Sequence, residues 1–80
     1  MAIVIFSSEL QQFTGEEKTT VKARVYRDLI AELVNRYAQL SAEVLTERAV
    51  AIDGVIIVDP LLEQIDEDSE VHFLHFIAGG

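Results

Sequence analysis

Eighty residues set the size of one domain, and half of them are hydrophobic, enough for one core and too many for disorder. The absence of cysteine excludes disulfides, iron–sulfur clusters, thiolate zinc sites and cysteine nucleophiles. A net charge of -8 disfavours nucleic acid, whose phosphates need a basic footprint, and no apolar run reaches the length of a membrane span.

The chain opens with Met1-Ala2-Ile3-Val4-Ile5-Phe6, a β-branched and aromatic run stopped by Ser7-Ser8. Without a basic leader or a small-residue cleavage site it reads as a buried strand rather than a signal peptide, so the expected location is cytoplasmic. Glu9 to Phe13 continues amphipathically into a turn at Thr14-Gly15-Glu16-Glu17. Thr19 to Val25 then alternates, with Val21, Ala23 and Val25 on one side and Lys22 and Arg24 on the other, the period of a strand with one wet face. These first two strands are expected to form an antiparallel hairpin.

A helical period follows over 26–40. Leu29, Ile30, Leu33, Tyr37 and Leu40 form one apolar stripe, while Asp28, Glu32, Asn35, Arg36 and Gln39 take the other face. Glu32 and Arg36 stand four apart in the favourable order. Ser41 is placed to cap a second, short helical piece through Thr46.

The last third returns to strands. Ala49–Ile52 and Val55–Val58 flank Asp53-Gly54, a two-residue hairpin signal, because both residues tolerate positive φ. Asp59-Pro60 ends that ribbon, Leu61 to Ile65 connects, Asp66 to Glu70 is a charged turn, and Val71 to Ile77 is a final strand. The order β-β-α-β-β-β, with a single main helix burying its stripe on one face of a mixed sheet of four to five strands, predicts a two-layer α+β domain. The first and last strands, both rich in Ile, Val and Phe, suit the sheet centre and can pair there in parallel across a long crossover. This is the β-grasp arrangement.

Charge is segregated along the chain. All six basic residues lie between Lys18 and Arg48, whereas from Ala49 onward there are acids only: Asp53, Asp59, Glu63, Asp66, Glu67, Asp68 and Glu70. Either this is a solvated surface or it is an acidic face steered toward a basic partner.

The sequence ends Ile77-Ala78-Gly79-Gly80. Two terminal glycines are what acyl activation of a C-terminal carboxylate asks for, since glycine lets the backbone thread a narrow channel and leaves the carbonyl carbon open to attack. The plain alternative is a frayed end. His72 and His75, three apart on a strand, point to opposite faces and cannot grip one metal ion. Asp66 to Glu70 lacks the glycine and further ligands of a calcium loop. Val71 and Phe73 are expected in the core, which places Leu74 and Phe76 on the opposite face or past the sheet edge. There they serve as extra core or, beside the tail, as a docking surface.

These features together resemble the MoaD/ThiS family of ubiquitin-like sulfur carriers, most of all the small subunit of molybdopterin synthase. The resemblance covers nearly the whole chain. It runs through the Ile3-to-Phe6 strand with Leu10 and Gly15, the helix from Leu29 to Leu40, Ala49-Val50-Ala51-Ile52-Asp53-Gly54, and Asp59-Pro60-Leu61. Its most specific stretch is Asp68-Ser69-Glu70-Val71-His72-Phe73 leading to Ile77-Ala78-Gly79-Gly80. It implies a single domain over 1–80 with a flexible tail over 77–80 and no catalytic side chain of its own. An E1-like enzyme using Mg-ATP would adenylate the Gly80 carboxylate, and sulfur would then replace one oxygen to give a thiocarboxylate. The tail, with Gly79 and Ala78 leading to Gly80, would enter the large subunit of molybdopterin synthase or an equivalent acceptor enzyme. Leu74, Phe76 and Ile77 would hold the partner. No cofactor or metal bound by this chain, no nucleic acid and no membrane are implied. Two features depart from the family pattern: His75-Phe76 stand where prolines are frequent, and Ser69 where glycine is. The alternatives are a carrier for thiamine, cysteine or a secondary metabolite, a ubiquitin-like modifier joined to lysines through Gly80, or an interaction module whose glycines are incidental.

Overall fold

The computed structural model describes residues 1–57 and 62–74. Among these residues five strands form one mixed sheet in the order β2-β1-β5-β3-β4: β1 (Ala2–Ile5), β2 (Lys18–Val21), β3 (Val50–Ile52), β4 (Val55–Ile57) and β5 (Glu70–Phe73). β1 and β5 lie side by side in parallel, with Val4 opposite Val71, and every other pairing is antiparallel. Three helices, α1 (Ser8–Thr14), α2 (Tyr26–Arg36) and α3 (Ala42–Thr46), send their apolar residues to one face of the sheet. The architecture is the α+β β-grasp expected from the sequence. No helix among the described residues is long and apolar enough to cross a membrane.

The core arises where strand alternation meets the helical stripe. Val4 and Phe6 from the β1 segment, Val50 and Ile52 from β3, and Val71 and Phe73 from β5 face Leu10 of α1, Leu29, Ile30 and Leu33 of α2, and Leu45 of α3. Each fully buried aliphatic or aromatic side chain contributes roughly 1.5–3 kcal/mol. Tyr26, at the start of α2, is buried against Phe73 with ring centroids 6.1 Å apart, and burial pushes its phenol well above the usual tyrosine range. Tyr37 meets Phe6 edge to face and donates a hydrogen bond to Glu16.

Three expectations need correcting. β1 and β2 do pair antiparallel, but not as a simple hairpin: α1 stands between them and closes on Gly15 in the left-handed region (φ 70°), whose N–H donates to the Gln11 carbonyl at 2.8 Å. The strand expected over 19–25 stops at Val21, because the Glu32 carboxylate accepts the Lys22 and Ala23 N–H groups at 3.0 and 3.1 Å and draws the chain off the ladder. The helix expected over 26–40 ends at Arg36: Tyr37 is extended, although Leu40 beyond it is still buried.

Other features stand as expected. Arg36 donates to Glu32 at 2.8 Å, and its other nitrogen reaches Thr19 Oγ1 and the Thr20 carbonyl at 2.7 Å, so the pair covers the outer edge of β2. The Ser41 hydroxyl accepts the Val44 N–H and caps α3. Asp53 and Gly54 both adopt positive φ, 52° and 83°, in the two-residue turn joining β3 to β4. Residues 63–65 run beside 24–26, with the Ile65 N–H on the Arg24 carbonyl and the Tyr26 N–H on the Glu63 carbonyl.

Candidate functional site

The site proposed from the sequence is the end of the last strand together with the C-terminal residues beyond it. β5 occupies the middle of the sheet, between β1 and β3, so the chain leaves from the centre of the domain and not from a frayed edge. Val71 and Phe73 are completely buried, as expected. β5 is described over Glu70–Phe73, and the Leu74 N–H donates to the Ala49 carbonyl at 2.8 Å and extends the ladder by one bond; the rest of the strand expected to Ile77 lies outside the described residues. Leu74 itself is half-buried, on the face opposite the core. His75, Phe76, Ile77, Ala78, Gly79 and Gly80 lie outside the described residues, as do Val58 to Leu61.

Two polar atoms beside this exit carry no signal in the sequence. The Arg48 side chain precedes Ala49, and its Nε is buried without a hydrogen-bond partner among the described residues. Ser7, two residues past the end of β1 on the other flank, has its Oγ in the same state. An unpaired buried polar atom is costly, so both are noteworthy at the point where the chain leaves the sheet.

The opposite end of β5 is built differently. The Asp53 N–H, in the β3–β4 turn, donates to the Glu70 carbonyl, and Asp53 Oδ1 accepts the Glu70 N–H at 2.9 Å. The Ser69 hydroxyl donates to Asp53 Oδ2 at 3.1 Å and accepts the Asp66 N–H at 2.9 Å. What reads in sequence as a solvated acidic turn is therefore a clamped one, with Ser69 buried at its centre. A shallow hollow of about 130 Å³ lies at this same end, lined by residues that include Ala2, Val21, Lys22, Arg24 and Glu67. No group of three or more His, Asp or Glu side chains among the described residues is placed to hold a metal ion.

Several solved structures share this fold. A chain of the Amycolatopsis orientalis BexX/CysO complex superimposes with a TM-score of 0.77 at 20% identity, covering 100% of both chains. SAMP1 from Haloferax volcanii gives 0.74 at 17% identity, over 99% of this chain and 98% of that one. A candidate molybdopterin converting factor subunit 1 from Pyrococcus furiosus gives 0.65 at 20% identity, over 90% and 92%. No family model matches the sequence, and no curated protein matches it. At these identities the likeness establishes the β-grasp fold of the described residues.

Proposed function

We propose that this chain is a cytoplasmic, one-domain sulfur carrier whose working group is the Gly80 carboxylate. The observation that carries the reading is a β-grasp sheet whose central strand leads straight into a sequence ending Ile77-Ala78-Gly79-Gly80. The fold shared with a chain of the BexX/CysO complex fits a protein that works against a partner, and the fold shared with a candidate molybdopterin converting factor subunit is consistent with a role in that pathway.

The cycle begins with activation. A carboxylate oxygen of Gly80 attacks the α-phosphate of Mg-ATP held by an E1-like adenylating enzyme, expelling pyrophosphate and leaving an acyl-adenylate. A sulfide-level sulfur nucleophile then adds to the Gly80 carbonyl carbon and expels AMP, giving the thiocarboxylate. In the acceptor enzyme, the large subunit of molybdopterin synthase or an equivalent, the thiocarboxylate sulfur attacks an electrophilic carbon of the substrate and displaces its oxygen leaving group, and water then hydrolyses the resulting thioester, leaving the sulfur on the substrate and returning the carrier as the carboxylate. Gly79 and Ala78 keep the approach narrow, while Leu74, Phe76 and Ile77 anchor the partner.

Intact mass of the protein purified from its native host tests the reading. Replacement of one terminal oxygen by sulfur is expected. Lysine conjugates would favour a modifier instead, and an unaltered mass in a host actively making molybdopterin would favour an interaction module. Deleting Gly80, or appending one residue after it, should abolish thiocarboxylation while leaving the fold unchanged. Sulfuration of the deletion variant at the normal rate would overturn the assignment of Gly80.

A further inference from the structure

The hollow at the start of β1 exists because the chain leaves the ladder there. Glu32 accepts the Lys22 and Ala23 N–H groups at 3.0 and 3.1 Å and draws residues 22–24 away from β1, just past the Ala2–Val21 pair. The space left open, about 130 Å³, is lined by Lys22, Ala23 and Arg24 together with Met1, Ala2 and Glu67. Its walls are fixed from behind. Glu32 holds the backbone at 22–23, the Ile65 N–H holds the Arg24 carbonyl at 2.8 Å, and the bonds between Asp66 and Ser69 hold the turn that carries Glu67.

Charge at this hollow runs against the rest of the molecule. The chain has 14 acids and 6 bases, so each base has acids in excess to pair with. Arg27 and Arg36 do pair, yet Lys22 and Arg24 make no ion pair among the described residues. The Met1 ammonium is a further cation here, 3.9 Å from Glu67, the one acid of the lining. Glu32, behind the 22–24 segment, is already engaged by two N–H groups and by Arg36.

We propose that this hollow binds a phosphate group, either free phosphate or a small phosphate monoester. The Arg24 guanidinium offers N–H donors in the planar fork that matches phosphate oxygens, and Lys22 adds a point charge. A phosphate carries roughly two negative charges near neutral pH, so it draws on both cations, where a carboxylate needs one. The fixed backbone leaves little ordering to be done on binding. Both side chains are exposed, so water and salt screen them, and the expected dissociation constant is roughly millimolar at low salt and rises with ionic strength. The hollow lies at the end of the sheet away from Leu74 and does not depend on the carrier reading.

The test is an NMR titration of the full-length, isotope-labelled chain with sodium phosphate at pH 7.5, against sodium acetate at equal ionic strength. The amide signals of Ala2, Lys22, Ala23, Arg24 and Glu67 should shift together and saturate with phosphate but not with acetate. Arg24→Gln and Lys22→Gln should each weaken binding about 5-fold or more. Glu67→Gln should tighten it about 2- to 3-fold by removing the opposing charge. Lys18→Gln and Arg27→Gln, which remove the same charge elsewhere, should leave it unchanged. Methyl phosphate binding as well as free phosphate assigns the site to monoesters, and binding lost on esterification assigns it to free phosphate. Shifts that never saturate, an equal response to acetate, or Arg24→Gln and Lys22→Gln variants that bind like Lys18→Gln overturn the inference. So does a Glu67→Gln variant that binds more weakly, since the anion then sits elsewhere.

Discussion

Ser69 keeps only 3% of its surface exposed, and its hydroxyl joins two turns that are sixteen residues apart in sequence. It accepts the Asp66 N–H and donates to Asp53, whose other carboxylate oxygen holds the Glu70 N–H. Ser69→Ala removes two hydrogen bonds worth roughly 0.5–1.5 kcal/mol each, an expected loss of about 1–3 kcal/mol in all. Chemical denaturation should show this as a lower midpoint at unchanged slope. The Asp53→Ala and Ser69→Ala double variant should lose less than the sum of the singles, because each change breaks the same bond. Additive losses would mean the two turns are held independently. The sequence shows the turn but not this clamp, since hydrogen bonds between distant positions leave no local pattern. The same holds for Glu32. Its i,i+4 partnership with Arg36 is legible, whereas its acceptance of the Lys22 and Ala23 N–H groups, which ends β2, is not.

At the scale of elements, legibility tracked length and periodicity. The α2 stripe supplied enough repeats to place Leu29, Ile30 and Leu33 on the sheet, and all three are buried. The Asp53-Gly54 turn and the central pairing of β1 with β5 were equally readable, from turn chemistry in one case and from Ile, Val and Phe content in the other. α1 was missed because seven residues span two turns and bury one side chain, Leu10, too little for a period to show. The end of α2 was misplaced because no glycine or proline marks it; Tyr37 turns away to pack on Phe6 and bond Glu16. Of the candidate site, Leu74 is described and Phe76 to Gly80 are not. Leu33→Ala tests the helix-on-sheet layer. Leu33 is completely buried in the cluster that holds Val4, Val71 and Phe73, so truncation should cost about 2–5 kcal/mol. In a chain of this size that is a large part of the total, and thermal unfolding should shift downward by many degrees. A melting temperature that barely moves would contradict the packing of α2.

For the whole molecule, the useful asymmetry is between the two ends of β5. The acidic turn over 66–70 stands at its start, and Leu74, four residues on from Glu70 and about 13 Å away, stands past its finish. That distance exceeds the roughly 8–10 Å over which exposed charges act at physiological ionic strength. On the proposed carrier reading, the acids would steer encounter with a basic rim on the partner more than they would hold that partner in place. Asp66 and Asp68 are exposed, and the clamp beneath them uses the Asp66 backbone and the Ser69 hydroxyl rather than either carboxylate. Asp66→Asn with Asp68→Asn is thus a change of charge with the fold preserved. Association with the adenylating enzyme should slow about 3- to 10-fold at low salt and become indistinguishable from wild type near 1 M salt, with dissociation unchanged throughout. Rates measured across an ionic-strength series separate the two terms. Faster dissociation at every salt concentration would place these carboxylates inside the docked contact and move the partner's footprint to the start of β5.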